Sequence, residues 1–168
     1  MKKSKGEDFM NKNIEFTLKN GEDFELIISQ IEKAVFIKIN LVKFNDYGDF
    51  LKWLLEACKF YLKHCFTEFE LFDTDSNTRY HIILTLDDVV VVSYNDTDTN
   101  VMRFVNFDCW YFIREIVLSI IRDRNEWNEY FEKTIYDMVS KIKMNQEIDN
   151  LITDIKTLLA TFEKYEIK

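Results

Sequence analysis

Proline is absent from this chain of 168 residues, and glycine occurs only three times. The common phosphate-binding loops, G-x-x-x-x-G-K-S/T and G-x-G-x-x-G, need several glycines, and neither pattern occurs. The G-x-S-x-G pattern of serine hydrolases is absent as well. Asn, Lys, Ile, Phe and Tyr are abundant, which is typical of an AT-rich coding sequence, so the missing proline needs no functional cause. The scarcity of glycine excludes phosphate-cradling loops of both types.

Cysteines and long apolar runs are also scarce. Cys58, Cys65 and Cys109 are an odd number without the spacing of a disulfide framework, which predicts a reducing compartment. The start, MKKSKGEDFM, is charged and leads into no apolar stretch. No run approaches the ~18 apolar residues that predict a membrane span. We therefore expect a cytoplasmic protein without membrane contact, with Met1 or Met10 as its native start.

The sequence does not show the arrangement of residues that catalysis by cysteine or histidine requires. Cys58 and Cys65 lie on the apolar side of a predicted helix, where a thiol acts as a small hydrophobic group, so a nucleophilic pair with His64 is disfavoured. The cysteines and histidines also lack the two close ligand pairs of a structural zinc site. No carboxylate is marked as buried, as acid–base catalysis would require. The prediction is a protein that is not an enzyme and uses no cofactor or metal.

The spacing of apolar residues predicts one α+β domain over residues 1–168, with residues 1–12 as a disordered N-terminal segment. Its mostly antiparallel sheet has about seven strands in two groups, with one helix between the groups and three C-terminal helices. The first group includes a hairpin turned at Asn20-Gly21, and Asn45 or Asp46 caps the helix that follows. The later strands are predicted at 67–72, 79–86, 89–95 and 101–106, and the last helices at 108–124, 126–143 and 145–165.

One of these strands and the last two helices carry unusual apolar patterns. The strand VVVVSY is apolar on both faces, which predicts a sheet covered on both sides. The last helix has a 3-4 spaced seam of Ile148, Leu151, Ile155, Leu158, Phe162 and Tyr165. The helix before it has a matching stripe of Trp127, Phe131, Ile135, Met138 and Ile142. The two are predicted to form an antiparallel hairpin, packed on the sheet or on another copy, so a homodimer through residues 127–165 is one alternative function.

Basic residues are nearly missing from one quarter of the chain. Residues 67–108 hold nine acids against Arg79 and Arg103, a net −7 out of the −8 of the whole sequence. Such a field repels phosphate, which disfavours direct nucleic-acid binding and favours a basic partner. A register that sets Glu70 opposite Arg79 and Glu68 opposite His81 would leave the loop aspartates of this quarter without basic neighbours.

An Asp-Thr-Asp triplet occurs twice in this acidic quarter, each time with an asparagine two residues later. The residues at positions 1, 3 and 5 of an EF-hand loop are matched by Asp73, Asp75, Asn77, Asp96, Asp98 and Asn100. Both loops lack the glycine at position 6 and the glutamate at position 12, so a dedicated calcium site is disfavoured. Ordinary hairpin turns are the simplest interpretation of these residue types.

The two loops lie at the same end of the sheet if the four strands form a meander. Strands two apart are about 10 Å from each other, so the six residues of the two loops would make an acidic, partner-binding rim. Clustered carboxylates can occupy the basic cleft in which a nuclease holds phosphate. In size and composition alone, the chain is similar to toxin-immunity proteins and phage-encoded inhibitors of host-defence nucleases. The leading prediction is therefore a non-enzymatic inhibitor of a basic protein such as a nuclease.

Overall fold

The α+β class is confirmed by a computed structural model, which describes residues 14–19, 23–30, 35–41, 49–73 and 76–168. Within these ranges it contains a four-stranded antiparallel sheet and four α-helices. The predicted disordered segment 1–12, the Asn20-Gly21 turn and the helix caps Asn45 and Asp46 lie outside the described residues. No helix in the described ranges is both long and apolar enough to cross a membrane.

The described part of the chain begins with β1 (Ile14–Lys19), β2 (Asp23–Gln30) and β3 (Val35–Leu41), which pair antiparallel in that order. Helix α1 (Asp49–His64) follows them. Next comes the four-stranded sheet of β4 (Thr67–Asp73), β5 (Thr78–Leu84), β6 (Val89–Tyr94) and β7 (Thr99–Phe104). The chain then continues through α2 (Cys109–Arg122), α3 (Arg124–Thr134) and α4 (Met138–Leu159).

The four-stranded sheet is a meander, in which each strand pairs with the next one along the chain. Its tight connections suit their residues, because Asn77 takes a positive φ of 51° and asparagine tolerates this conformation. Successive connections lie at alternate ends of the sheet. The described residues 76–77 of the first connection and the loop 95–98 therefore share one end, and the loop 85–88 lies at the other.

The inner face of this sheet joins the helices in one hydrophobic core. Its fully buried strand residues are Leu71, Ile82, Leu84, Val89, Val91 and Phe104. Helix α2 contributes Phe112, Ile113, Ile116, Val117 and Ile120, at the spacing of an amphipathic helix. Asp108 caps this helix by accepting a hydrogen bond from the Tyr111 backbone N–H at 3.0 Å. The aromatic run at 107–112 is thus largely part of the core.

The prediction of a sheet covered on both faces is corrected at β6. Val89 and Val91 are buried on the inner face, but Val90 and Val92 on the outer face are only half-buried. On the neighbouring strand β7, Val101 is 67% exposed on the same outer face. An apolar run predicts that a strand is at least partly buried, but it does not predict whether both faces of the strand are fully buried.

The predicted boundary between the last two helices is also corrected. The chain leaves the helical conformation after Thr134 and resumes it at Met138, whereas the sequence pattern placed the break near residue 144. Asp137 causes the new start, because its side chain accepts a hydrogen bond from the Ser140 backbone N–H at 2.8 Å. The predicted stripe is divided by this break: Ile135 is buried, whereas Met138 is 74% exposed.

The apolar seam of α4 lies inside the chain and packs mainly along α1. Its buried residues are Ile148, Ile152, Ile155 and Leu159. Two ion pairs join the same helices, Lys52 to Glu147 at 3.1 Å and Lys59 to Asp154 at 2.6 Å. The predicted hairpin between α3 and α4 is not confirmed. The seam also ends earlier than predicted, because α4 stops at Leu159 and the following aromatic residues pack around Trp110.

Candidate partner-binding surface

The two Asp-Thr-Asp loops meet at one end of the four-stranded sheet. The side-chain amide of Asn77 donates a hydrogen bond to Oδ2 of Asp96 at 3.4 Å. The two loops and the strand ends beside them surround a shallow depression of about 200 Å³, lined by Asn77, Arg79, Tyr94, Asn95 and Asp96. The meander thus brings together parts of the two loops, which lie nineteen residues apart in sequence.

Asp73 does not belong to the exposed part of this end. Its side chain is buried, with 7% of the residue exposed, and Oδ2 accepts a hydrogen bond from the Ser76 hydroxyl at 2.8 Å. Asp73 therefore shapes the first turn and is not presented to a partner. Asp75, which was predicted to be part of the same rim, lies outside the described residues.

The second loop is built by a residue that the repeat did not include. Oδ1 of Asn95 accepts hydrogen bonds from the backbone N–H groups of Thr97 and Asp98, both at 2.9 Å. The Asn95 backbone N–H also bonds the Asp98 carbonyl at 3.0 Å and closes the turn. The sequence signal that could have identified this turn is an asparagine directly after a strand.

Asp96 and Asp98 are consequently exposed carboxylates that the second turn does not need as turn-forming side chains. Their recorded side-chain contacts are with neutral groups, the Asn77 amide for Asp96 and the Thr97 hydroxyl for Asp98. Among the described residues, neither carboxylate forms an ion pair. Asn77 and Asn100 are exposed at the same end of the sheet. Of the five predicted rim residues that the structure describes, four are therefore exposed and one, Asp73, is buried.

The outer face of the sheet next to these loops is mixed in character. Glu68 pairs with His81 at 3.1 Å, and Glu70 lies 3.8 Å from Arg79. The Tyr94 hydroxyl donates a hydrogen bond to Glu70 at 2.5 Å, and this bond raises the pKa of Tyr94. The acids on β4 are thus largely matched by groups on β5 and β6.

The register that had suggested these pairs is wrong by two residues. Glu70 lies directly opposite His81, and Arg79 lies opposite Phe72, over whose ring its guanidinium sits at 5.1 Å. A shift of two residues keeps every side chain on its face of the sheet, so the same charges meet diagonally. The predicted contacts are therefore present although the strand alignment differs.

Two acids at the opposite end of the sheet, Asp88 and Asp108, differ from Asp96 and Asp98 in being paired. Asp88 accepts hydrogen bonds from Nε of Arg103 at 2.9 Å and from the Asn106 backbone N–H at 3.2 Å. Asp108, besides capping α2, receives Lys164 Nζ at 3.0 Å and the Tyr165 hydroxyl at 2.9 Å. These two carboxylates hold the fold together, whereas Asp87 at the same end is exposed and, like Asp96 and Asp98, forms no ion pair among the described residues.

Two of the three thiols lie in settings that disfavour nucleophilic chemistry. Cys58 and Cys109 are buried, and burial raises the pKa of each thiol to about 12. Both are therefore protonated at neutral pH, and the thiol is a poor nucleophile. Cys65 is exposed at the end of α1, where it adopts a φ of 56°. Within the described ranges, no group of three or more His, Cys, Asp or Glu side chains is arranged to hold a metal ion.

Comparison with known proteins gave no match to a family model, to a curated protein or to a solved structure. The fold and the surface together define an acidic α+β protein with exposed carboxylates at one end of its sheet.

Proposed function

We propose that this protein is a non-enzymatic binding protein that inhibits a basic protein partner, with a nuclease as the preferred class of target. The observation that supports the proposal is the exposure of Asp96 and Asp98, neither of which forms an ion pair in the described part of the chain. Because the surrounding quarter of the sequence carries a net −7, its field attracts a positively charged surface over a distance of several ångströms. Such a field increases the rate of association and orients the partner.

The unpaired carboxylates impose only a small cost on folding. Two unit charges ~10 Å apart in water repel by about 0.4 kcal/mol, and salt reduces this further. The hydrogen bonds of the second turn come from Asn95 and the backbone, so uncharged residues at 96 and 98 would leave that turn intact. A function outside folding therefore accounts best for two aspartates at these positions.

An apolar surface lies next to these charges on the outer face of the sheet. Val101 is 67% exposed, and Val90 and Val92 beside it on β6 are half-buried. Interfaces commonly combine an apolar centre with a polar edge, and this arrangement fits that anatomy. Lysine or arginine side chains that a nuclease uses for phosphate would pair with Asp96 and Asp98, while the apolar part of the cleft edge would rest on the valines.

The alternative of a homo-oligomer held by the predicted seam is less well supported. Ile148 and Ile155 are fully buried within the chain, where they pack along α1. A seam already used inside one protomer is not free to join two. The complete plan of about seven strands in two groups, the three-helix C-terminal arrangement and the cytoplasmic location remain predictions.

The proposal is tested by binding at low salt, with wild-type protein and the double variant Asp96→Asn/Asp98→Asn as baits in a lysate of the native host. The matched control is Glu56→Gln/Glu129→Gln, which removes the same charge from exposed helix positions. We expect the wild type and the control to retain a basic protein that the loop variant loses, and to inhibit its nuclease activity. Equal retention by all three baits, or no retained protein, would contradict the proposal.

A further inference from the structure

Strand β7 forms an open edge of the four-stranded sheet. The strand order is β4-β5-β6-β7, so β7 pairs with β6 on one of its two sides. No other strand in the described part of the chain pairs with its second side. The exposed residues of this strand are Thr99, Asn100, Val101 and Arg103. Such an edge presents unpaired backbone N–H and C=O groups, to which an extended segment of another chain can add as a further strand.

The alternation of backbone hydrogen bonds identifies the residues that face this edge. The Asn95 N–H bonds the Asp98 carbonyl at 3.0 Å, so these two residues are a hydrogen-bonded pair. In an antiparallel ladder every second pair exchanges hydrogen bonds, and the next such pair in the register is Ser93 with Asn100. The residues of β7 in between direct their N–H and C=O groups away from β6. These residues are Thr99, Val101 and Arg103.

One carbonyl that continues this row already accepts a donor from outside the sheet. The same alternation, counted two residues on from Arg103, reaches Val105 just after the strand. The backbone C=O of Val105 accepts a hydrogen bond from Nε2 of Gln30, a residue of β2, at 2.8 Å. Among the described residues, no donor outside the sheet reaches the C=O groups of Thr99, Val101 or Arg103. The row thus has one paired carbonyl at its end and three open ones along the strand.

The open edge continues directly into the second Asp-Thr-Asp loop. Asp98 is the residue before β7, and Asp96 lies two residues before Asp98. On the outer face of the sheet Val101 is 67% exposed and lies opposite Val92 of β6. An antiparallel strand added to this edge places one side chain beside Val101 and later ones within reach of the two carboxylates. The side chains that match this surface are an apolar residue followed by lysine or arginine.

Charge favours a basic strand over a second copy of this chain. Residues 67–108, which contain the whole four-stranded sheet, carry a net −7, and two such sheets joined edge to edge would repel each other. A basic strand instead neutralises part of this charge.

We infer that the open edge of β7 binds an extended segment of a basic protein. The segment adds as an antiparallel strand, with an apolar residue beside Val101 and with lysine or arginine beside Asp98. Antiparallel pairing continues the pattern of the sheet and is slightly more stable than parallel pairing. The basic character of the segment rests on the proposed function, whereas the open edge does not.

The test uses a synthetic peptide as the added strand, Val-Thr-Val-Thr-Lys-Thr-Lys with both termini blocked. It is titrated into the isotope-labelled protein at low salt and followed by NMR. When the third residue of the peptide lies opposite Val101, its N–H points at β7, and the N–H of the fourth residue points away. N-methylation of the third residue should therefore weaken binding about fivefold, the value of one typical hydrogen bond, and N-methylation of the fourth less than about twofold. Equal effects of the two methylations, or no binding of the unmethylated peptide at about 2 mM, would overturn the inference.

A substitution in the protein tests the same hydrogen bond from the other side. Val101→Pro removes an N–H that faces the edge, and it should weaken binding of the peptide about fivefold. The control Val101→Thr keeps this N–H and should bind as the wild type does. Proline is tolerated on an edge strand where the missing N–H faces solvent, and the melting temperature of each variant shows whether it folds. If Val101→Pro does not fold, the two methylated peptides decide the result with the wild-type protein alone.

A peptide with glutamate in place of both lysines separates this inference from the proposed function. The wild type should bind it about fivefold more weakly than the lysine peptide, and Asp96→Asn/Asp98→Asn should lose most of this preference. Equal binding of the two peptides, with the methylation effect retained, would contradict the proposed function and leave the edge as a strand-binding site. A lysine preference without a methylation effect would support the acidic loop and overturn the edge. A wild type that dimerises in sedimentation equilibrium, with Val101→Pro monomeric, would assign the edge to a second copy and also overturn the inference.

Discussion

Replacement of Asp108 by alanine removes three interactions that connect the start of α2 to the C-terminal segment. The side chain of Asp108 caps α2, pairs with Lys164 and accepts a hydrogen bond from the Tyr165 hydroxyl. The loss of a helix cap typically costs about 1 kcal/mol. The Lys164 side chain is 68% exposed, so its ion pair contributes only ~0.5 kcal/mol, and the tyrosine hydrogen bond about as much. We therefore expect the free energy of unfolding to fall by about 2 kcal/mol.

The measurement is urea unfolding of wild type, Asp108→Ala and Asp108→Asn, followed by circular dichroism. Asparagine retains the ability to cap α2 but loses the charge, so Asp108→Asn should cost about half as much as Asp108→Ala. The double variant Asp96→Asn/Asp98→Asn is the comparison, because its carboxylates have no structural ion pair in the described residues. Its stability should lie within ~0.5 kcal/mol of the wild type.

This comparison separates acids that hold the fold from acids that are free for a partner. If Asp108→Ala cost less than ~0.5 kcal/mol, the contacts at the start of α2 would not support the fold as inferred. If the loop variant lost as much stability as Asp108→Ala, Asp96 and Asp98 would be structural residues, and the main support for the proposed function would be removed.

Three further predictions concern pH, thiol chemistry and packing. Hydrogen bonds from Ser140 lower the pKa of Asp137 below its usual value of 3.8. The stabilising contribution of the Asp137 carboxylate is therefore present at neutral pH and is lost as pH falls through the lowered pKa. The difference in melting temperature between wild type and Asp137→Ala should shrink between pH 6 and pH 2. A chromogenic disulfide reagent should modify one thiol quickly in the native protein, that of exposed Cys65, and the two buried thiols only on unfolding; three fast thiols would contradict the described burial. Ile155→Ala should reduce the free energy of unfolding by about 2–5 kcal/mol in the same urea assay, because this side chain of α4 is fully buried in the core. A loss below ~1 kcal/mol would show that the seam is not packed as described.

The strands of the four-stranded sheet were predictable because their signals are local. Alternating apolar residues indicate one buried face, and clusters of Asp, Asn and Thr indicate turns, so the predicted strands agree with the observed ones to within about two residues. The meander was a condition of the predicted rim, and it is the arrangement that short connections between strands favour. The pairing register was less certain, because a shift of two residues preserves the face of every side chain and leaves the apolar pattern unchanged.

The helical break at residues 135–137 was missed for a different reason. The apolar stripe from Trp127 to Ile142 keeps helical spacing across the break, so periodicity alone favours one continuous helix. The signal that competes with it is a single residue, Asp137, placed three residues before Ser140, where it can cap a new helix. This error also concealed the exposure of Met138 and Ile142, which had been assigned to the apolar stripe of one helix.

The sequence by itself determined the α+β class, the residues of the turns and the concentration of negative charge between residues 67 and 108. These properties depend on composition, on periodicity and on hydrogen bonds between near neighbours. Only the tertiary structure decided which acids remain without a partner. Asp88 is matched by Arg103 and Asp108 by Lys164, fifteen and fifty-six residues away, whereas neither Asp96 nor Asp98 forms an ion pair within the described residues. Such ion pairs depend on how the chain returns upon itself, and a linear pattern of charges does not contain that information.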